Sequence, residues 1–410
     1  MNGKGLLSVD EALEILLAGA RPVTEIEEVP TLEATGRVLA RAQTSAMDVP
    51  PMDNSAMDGY ALRLADVKAP DTKLRVAQRI PAGAVGEPLE PGTAARIFTG
   101  APIPPGADAV AMQENCAVDG EHVVVRKVPQ RDEWIRRRGS DIRAGGEVLA
   151  AGIRLRPQDT GLAASVGIKS LPVCRRVRMA LFFTGDELVM PGDPLPPGRI
   201  YNSNRFTLNG LARTFDCEVR DFGIVPDSLA ATRDVLRRAA AEADIIVTSG
   251  GVSVGEADFT KQIMAKLGEV LFWRIAMRPG RPMAFGRIDA AGGSAWLFGL
   301  PGNPVAVMVT FYQFVRDALL HLSGRTDDFA IPLLQVSASH AIRKVPGRTE
   351  YQRGILFRDG AEWMVRTTGQ QGSGVLRSRS EANCFIVLEH KRGKVEAGEP
   401  VQVQLFDGLA

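Results

Sequence analysis

The sequence has little of what most often carries enzyme chemistry. Its four cysteines, Cys116, Cys174, Cys217 and Cys384, form no CxxC pair, which argues against a zinc ribbon or a disulfide framework. Its four histidines, His122, His321, His340 and His390, include no i, i+4 pair, so a His-built metal centre or His-driven acid–base catalysis is not expected. Any metal would be hard and oxygen-ligated. No run of 18 apolar residues occurs, and the opening MNGKGLLSVDEALEIL lacks the basic-then-apolar layout of an export signal. The expectation is a soluble, cytoplasmic chain with no membrane contact. Lysine is scarce as well, with 10 Lys against 39 Arg among 49 bases. Because 48 acids leave a net charge of +1, the chain is not expected to bind nucleic acid through many phosphate contacts.

What is present is material for several cores. The 410 residues are 45% hydrophobic and 24% charged, with 42 Gly and 26 Pro, which suits two to four folded domains at about 100–200 residues each. Ser8 opens a capping box with Glu11, followed by Ala12, Leu13, Ile15, Leu16 and Leu17 at helical spacing. From Thr44 to about Ser140, short strands alternate with Pro/Gly turns, and a second helical stretch follows at 157–167. The β lobe therefore reads as an insertion. From 175 onward VRMALFF, EVRDFGIV, DIIVTS and AWLFGL read as buried strands of a doubly wound sheet, with helices near 203–215, 228–242, 258–267 and 304–322. The tail from 331 returns to short strands and suggests a small β-barrel. The expected boundaries are 1–45 with 141–174 for a discontinuous helical domain, 46–140 for the lobe, 175–327 for the α/β domain and 328–410 for the β domain.

Ligands of such sheets sit at the carboxyl ends of the strands. That rule marks TGDEL, SGGVSVG and LPGNP. Ser249, Gly250, Gly251, Ser253 and Gly255 fit a loop whose backbone N–H groups cradle an oxyanion, and equally a tight turn whose glycines serve packing. The loop is neither a Walker A motif nor GxGxxG, which disfavours an ATPase and a Rossmann dehydrogenase. Asp186, Glu187, Asp227 and Asp258 bring carboxylates toward the same strand ends, although Asp227 and Asp258 each also suit an N-cap. Two such charges about 4 Å apart repel by roughly 4 kcal/mol at an effective dielectric of 20, so a cluster implies a bridging cation, and Mg²⁺ suits carboxylates plus phosphate oxygens. Arg274, Arg278 and Arg281 surround a Pro-Gly turn, either converging on an oxyanion or forming a solvated loop. Pro301, Gly302, Asn303 and Pro304 make a rigid strand-to-helix turn with Asn303 as a possible cap. In the lobe, Asp53, Asn54, Ser55 and Asp58 fit turn chemistry as well as function.

Taken in order, SVDEAL, MDNSAMDGYA, RIFTGAPIPPGADAV, GSDIRAGG, TGDEL, GRIYNSN, TSGGVSVGEADFTK, PGRPMAFG, GLPGNPVAV, YQRG and GQQGSG resemble the molybdopterin molybdenumtransferase family, the MoeA-type insertases related to the C-terminal domain of gephyrin. The resemblance spans nearly the whole chain. It implies a multidomain α/β plus β fold and conversion of adenylylated molybdopterin and molybdate into molybdenum cofactor and AMP, with Mg²⁺ as cofactor. Carried over by motif, the catalytic candidates are Asp58, Thr99, Asp141, Glu187, Asp227 and Asp258, with Glu187, Asp227 and Asp258 also as metal ligands. Substrate would sit on Ser249, Gly250, Gly251, Ser253, Gly255, Pro301, Gly302, Asn303 and Pro304, and molybdate on Arg274, Arg278, Arg353 and Ser373. The family commonly has Lys where this chain has Arg274, Arg278 and Arg281, which changes reach and donor geometry. The resemblance also implies a homodimer whose β lobe completes the partner's active site, and a possible molybdopterin adenylyltransferase partner. Adenylyl transfer from ATP, CinA-like chemistry and a gephyrin-like scaffold are the competing readings.

Overall fold

The computed structural model describes residues 6–251, 263, 266–372 and 374–406. Its centre is a six-stranded sheet in which four strands, Arg178–Thr184, Glu218–Val225, Ile245–Ser249 and Gly293–Leu300, run parallel. The first of them is continuously apolar because both faces are covered. Met179, Leu181 and Phe183 pack under helices Ser203–Thr214 and Pro304–Leu322, while Ala180 and Phe182 pack under helix Leu229–Glu242.

In spatial order, Glu218–Val225 lies on one side of Arg178–Thr184 and Ile245–Ser249 on the other. The chain thus reverses direction of build-up at the first strand, which opens a crevice at the ends Thr184 and Ser249. Two antiparallel strands, Gly268–Arg274 and Pro282–Ala290, extend the sheet beyond Gly293–Leu300. Helix Pro304–Leu322 is long and apolar enough to cross a membrane by length and composition. Its Val305, Val307, Phe311, Phe314 and Leu319 are buried in the sheet core, which accounts for that character.

The N-terminal helix Val9–Gly19 begins at the expected capping box, with Glu11 N donating to Ser8 Oγ at 3.2 Å and Ser8 N to Glu11 Oε2 at 2.8 Å. It buries Val9, Ala12 and Leu16 in the sheet core. Helix Pro157–Ser165 instead joins a separate small core with Leu39, Leu149, Leu155 and Val173. Two antiparallel ribbons, Ile26–Pro30 with Ser170–Cys174 and Gln43–Thr44 with Glu147–Leu149, carry the chain out and back. Between them lies a lobe with its own six-stranded sheet, ordered from Ala109–Met112 through Gly59–Leu62 and Thr93–Ile97 to Thr72–Ile80, His122–Val125 and Cys116–Asp119.

The C-terminal strands Leu334–Ala338, Thr349–Asp359, Glu362–Thr367, Cys384–Leu388 and Pro400–Leu405 close on themselves, since Thr349–Asp359 pairs with both Glu362–Thr367 and Cys384–Leu388. Met277 and Arg278 of the central unit join this barrel in parallel register opposite Thr349 and Glu350. That short pairing sets the geometry of the basic cleft described next.

Candidate active site

Three loops meet at the strand ends. Asn204, in the first turn of helix Ser203–Thr214, donates through Nδ2 to Ser249 Oγ and to Gly302 O, both at 2.8 Å. Ser249 Oγ in turn donates to Pro301 O at 3.1 Å. One buried amide thereby fastens the SGG loop to the LPGNP loop. Gly250 has φ +100, and a Cβ there would meet Thr184 O at 2.3 Å, so only glycine permits this crossing of the first and third strand ends. Asn303 caps helix Pro304–Thr310 through bonds from Val305 N at 3.0 Å and Ala306 N at 3.4 Å. Around this knot the side-chain atoms Thr184 Oγ1, Thr248 Oγ1, Asn202 Nδ2 and Asn204 Oδ1 are buried without a hydrogen-bond partner among the described residues. Native interiors leave few such atoms, and they suit a polar ligand. Asn204→Ala is expected to lower unfolding stability by about 1–3 kcal/mol, because Ser249 and Gly302 lose their donor, a change that equilibrium denaturation will detect.

Asp186 and Asp227 lock the first two strand ends together. Asp186 N points to Asp227 Oδ2 at 3.3 Å and Asp227 N to Asp186 Oδ1 at 3.4 Å. Partial burial first, and then the charges of Asp186 and Glu187, push the Asp227 carboxyl above its ordinary range. Glu187 folds back over Gly185, its Oε2 lying 2.7 Å from where a Cβ on that glycine would stand. Among the described residues no three carboxylate, His or Cys groups form a complete cation site. The pair nevertheless fits Mg²⁺, which is commonly held by one or two carboxylates together with substrate phosphates. Ser253, Gly255 and Asp258, expected in the same crevice, lie outside the described residues.

The cationic residues separate into distinct surroundings. Arg278, Arg281 and Arg348 line a cavity of about 310 Å³ with Pro301, Asn303 and Gln371. Arg278 and Gln371 also border a second cavity of about 390 Å³, which includes Arg343, Glu350 and Arg353. Arg274 ends the antiparallel edge strand, is exposed, and borders neither cavity.

Arg353 is 1% exposed. Its Nε donates to Ser378 Oγ at 3.0 Å, Nη1 to Gln371 O at 3.3 Å, and Nη2 to Gln370 O and Gly372 O at 3.2 and 3.1 Å. Burial, then the neighbouring Arg278 and Arg379, lower its pKa to about 10. Arg353 therefore shapes the 370–372 loop from behind, with one of its five N–H donors left over. Ser373 lies outside the described residues. Arg379 crosses from the barrel to the LPGNP turn, with Nη1 donating to Pro304 O at 2.9 Å.

In the lobe, Thr99 donates to Asp58 Oδ1 through its backbone N at 2.8 Å and through Oγ1 at 2.7 Å. These bonds hold the Asp58 carboxyl below its ordinary range, the backbone one most strongly. Asp141 is exposed, and its backbone N donates to Val49 O at 3.0 Å. Among the described residues, the lobe's hydrogen bonds and ion pairs stay within the lobe and its stem. Neither Asp58 nor Asp141 is tied to the strand-end loops of the same chain.

Asn204, Glu350, Arg348, Gln371 and Arg379 were not among the sequence-derived candidates. Asn204 stands in the quoted GRIYNSN string, where its capping surroundings masked it. Gln371 likewise stands in the quoted GQQGSG string, and the other three become visible only through the pairing of Arg278 with Glu350 and the packing of the barrel on the LPGNP turn.

Comparison with known proteins agrees with this arrangement. Residues 7–167 match the MoeA N-terminal region (domain I and II), 180–321 match a "Probable molybdopterin binding domain", and 335–406 match the MoeA C-terminal region (domain IV). The chain is 41% identical over 407 residues to the molybdopterin molybdenumtransferase of Haemophilus influenzae, covering 98% of this chain and 100% of that one. Identity to the protein of that name from a Nostoc species is 36%, covering 92% of this chain and 88% of the other. The crystal structure of the molybdopterin biosynthesis MoeA protein from Pyrococcus horikoshii superposes with a TM-score of 0.85 at 30% identity, covering 98% of this chain and 100% of that one. With its three regions matched in order and its curated relatives matched over almost their whole length, this chain belongs to the MoeA family.

Proposed function

We propose that this protein transfers molybdenum from molybdate into adenylylated molybdopterin and releases AMP, completing molybdenum cofactor synthesis. The observation that carries the reading is the 310 Å³ cavity, in which Arg278 and Arg281 face Pro301 and Asn303. Cationic donors and a nucleotide-type turn share one space, as joining an oxyanion to a nucleotide-bearing ligand requires. The full-length relatives named molybdopterin molybdenumtransferase support the same chemistry.

In this reading the SGG loop, with Ser253 and Gly255 beyond it, and the turn Pro301 to Pro304 seat the pterin nucleotide. Arg278, Arg281 and Arg348 collect molybdate together with Ser373, with Arg353 shaping the neighbouring loop; Arg274 contributes only charge from a distance. Glu187, Asp227 and Asp258, joined by Asp186, hold Mg²⁺. That ion would neutralise phosphate charge at the bond between adenylate and pterin phosphate. Asp227, beside that ion, and Asp58, kept ionised by Thr99, are suited to orient the attacking water and take its proton. Asp141 joins Asp58 and Thr99 in the same catalytic group, as the family resemblance implies.

As the family resemblance implies, Asp58, Thr99 and Asp141 complete the site of a second copy in a homodimer; the lobe's bonding, among the described residues, only to itself and its stem is consistent with this. The lobe 46–140, the α/β unit 175–327 with helix Val9–Gly19 in its core, and the β unit 328–410 act as domains around a stem from the rest of 1–45 with 141–174, and a molybdopterin adenylyltransferase supplies the substrate in the cytoplasm. Purified protein given adenylylated molybdopterin, Mg²⁺ and molybdate is expected to release AMP. Folded protein that releases none overturns the reading. Repeating the assay with tungstate measures how far the Arg-built site separates two tetrahedral oxyanions.

A further inference from the structure

Behind the arginines at the junction of the two basic cavities lies an acid. Glu350 is 2% exposed. Its Oε1 accepts a hydrogen bond from Arg348 Nε at 3.1 Å and faces Arg278 Nη1 at 3.8 Å. Its Oε2 accepts from Gln352 Nε2 at 3.1 Å, and the same amide nitrogen donates to Arg343 O at 2.9 Å. Arg278 borders both cavities, Arg348 the smaller and Glu350 the larger.

A buried carboxylate is costly unless it is paired and hydrogen-bonded. Here the paired guanidiniums are themselves 53% and 39% exposed, so the acid lies behind and the cations lie in front. The two contacts differ in kind. Arg348 is hydrogen-bonded, whereas Arg278 at 3.8 Å is attracted without giving up an N–H donor. Its donors therefore remain available to a ligand while its position is restrained.

We propose that Glu350 is a positioning residue, holding Arg278 and Arg348 at fixed points on the shared wall so that a tetrahedral oxyanion meets preorganised donors. The proposal rests on reading this cleft as the molybdate site. Removing the negative charge makes the wall more positive, yet it releases two long side chains toward solvent. Salt screens the gained long-range attraction, while the lost convergence weakens short charge-assisted bonds. Orientation outweighs charge for a small anion that must be gripped by several donors.

Equilibrium dialysis of the full-length protein with molybdate tests this directly, using wild type, E350Q and E350D. E350Q is expected to weaken molybdate binding by about tenfold or more, and E350D, which keeps the charge but shortens its reach to both guanidiniums, by about threefold. In turnover, half-saturating molybdate should rise by a similar factor, with kcat at saturating molybdate within about twofold of wild type. Wild-type affinity in folded E350Q overturns the positioning role and leaves the molybdate reading intact. Wild-type protein that binds no molybdate overturns both. If E350Q does not fold, E350D decides alone: reduced affinity with a wild-type melting curve supports the proposal, and unchanged affinity overturns it.

Discussion

Asp227→Asn is expected to abolish molybdate-dependent AMP release, by about 10²-fold at least, while the protein stays folded. The substitution keeps the shape of the side chain and removes its charge and its capacity to accept a proton. Among the described residues the Asp227 carboxylate accepts one hydrogen bond, from Asp186 N at 3.3 Å, which the amide oxygen of Asn can also accept. What the charge does is sit against Asp186 and Glu187 with burial acting in the same direction, which raises its pKa. The sign fixes a second outcome. A carboxyl whose folded pKa lies above its unfolded value contributes stability at low pH, and that contribution is lost as pH rises through the folded value. Without divalent cation, wild-type melting temperature should therefore fall across the window just above the ordinary Asp range, and the Asn variant should show less of that fall. Mg²⁺ should raise the wild-type melting temperature above this window and affect the variant less. An Asn variant with full turnover would remove Asp227 from the chemistry.

Arg353→Lys should be nearly as damaging by a different route. Four hydrogen bonds leave the guanidinium in different directions, to Ser378 and to the carbonyls of 370, 371 and 372. An ammonium has three donors on one nitrogen and cannot span that fork. At least one of these carbonyls would lose its partner, and a cation already depressed by burial would be solvated worse. A loss of about 2–4 kcal/mol in barrel stability is expected. Amide hydrogen exchange in 369–378 should accelerate, and molybdate affinity should fall because Gln371 lines both cavities. Slow exchange and wild-type affinity in the Lys variant would show that the fork is dispensable.

The central sheet was legible because burial on both faces writes its inner strands as nearly unbroken apolar runs, as in RMALFFT and IIVTS, while the edge strand EVRDFGIV stays largely exposed or half-buried. Its loops followed from the rule about strand ends. The insertion of the lobe was legible through its change of rhythm, and the antiparallel ribbons at 26–30 with 170–174 and 43–44 with 147–149 give that insertion its physical form. The segment around Arg274 to Arg281 was harder. It reads as one arginine-bearing turn, but Gly268–Arg274 and Pro282–Ala290 pair as sheet strands while Met277–Arg278 leaves to join the barrel. A tertiary pairing between residues 72 positions apart, Arg278 and Glu350, carries no local signal. Arg353 illustrates the same limit from the other side. Its motif marks it as a functional arginine, but only the fold reveals that its donors are turned toward the protein's own carbonyls. The partner of the N-terminal helix was likewise hidden, since Ala12 and Leu16 declare an apolar face without declaring what covers it.

The most direct test of the proposed reaction is a single-turnover measurement of AMP released and molybdenum retained in the pterin product by the purified protein with Mg²⁺. Equal amounts of AMP and pterin-bound molybdenum, both absent when molybdate is withheld, are the expected result. AMP released without molybdenum incorporation, or consumption of ATP with formation of pyrophosphate, would contradict it.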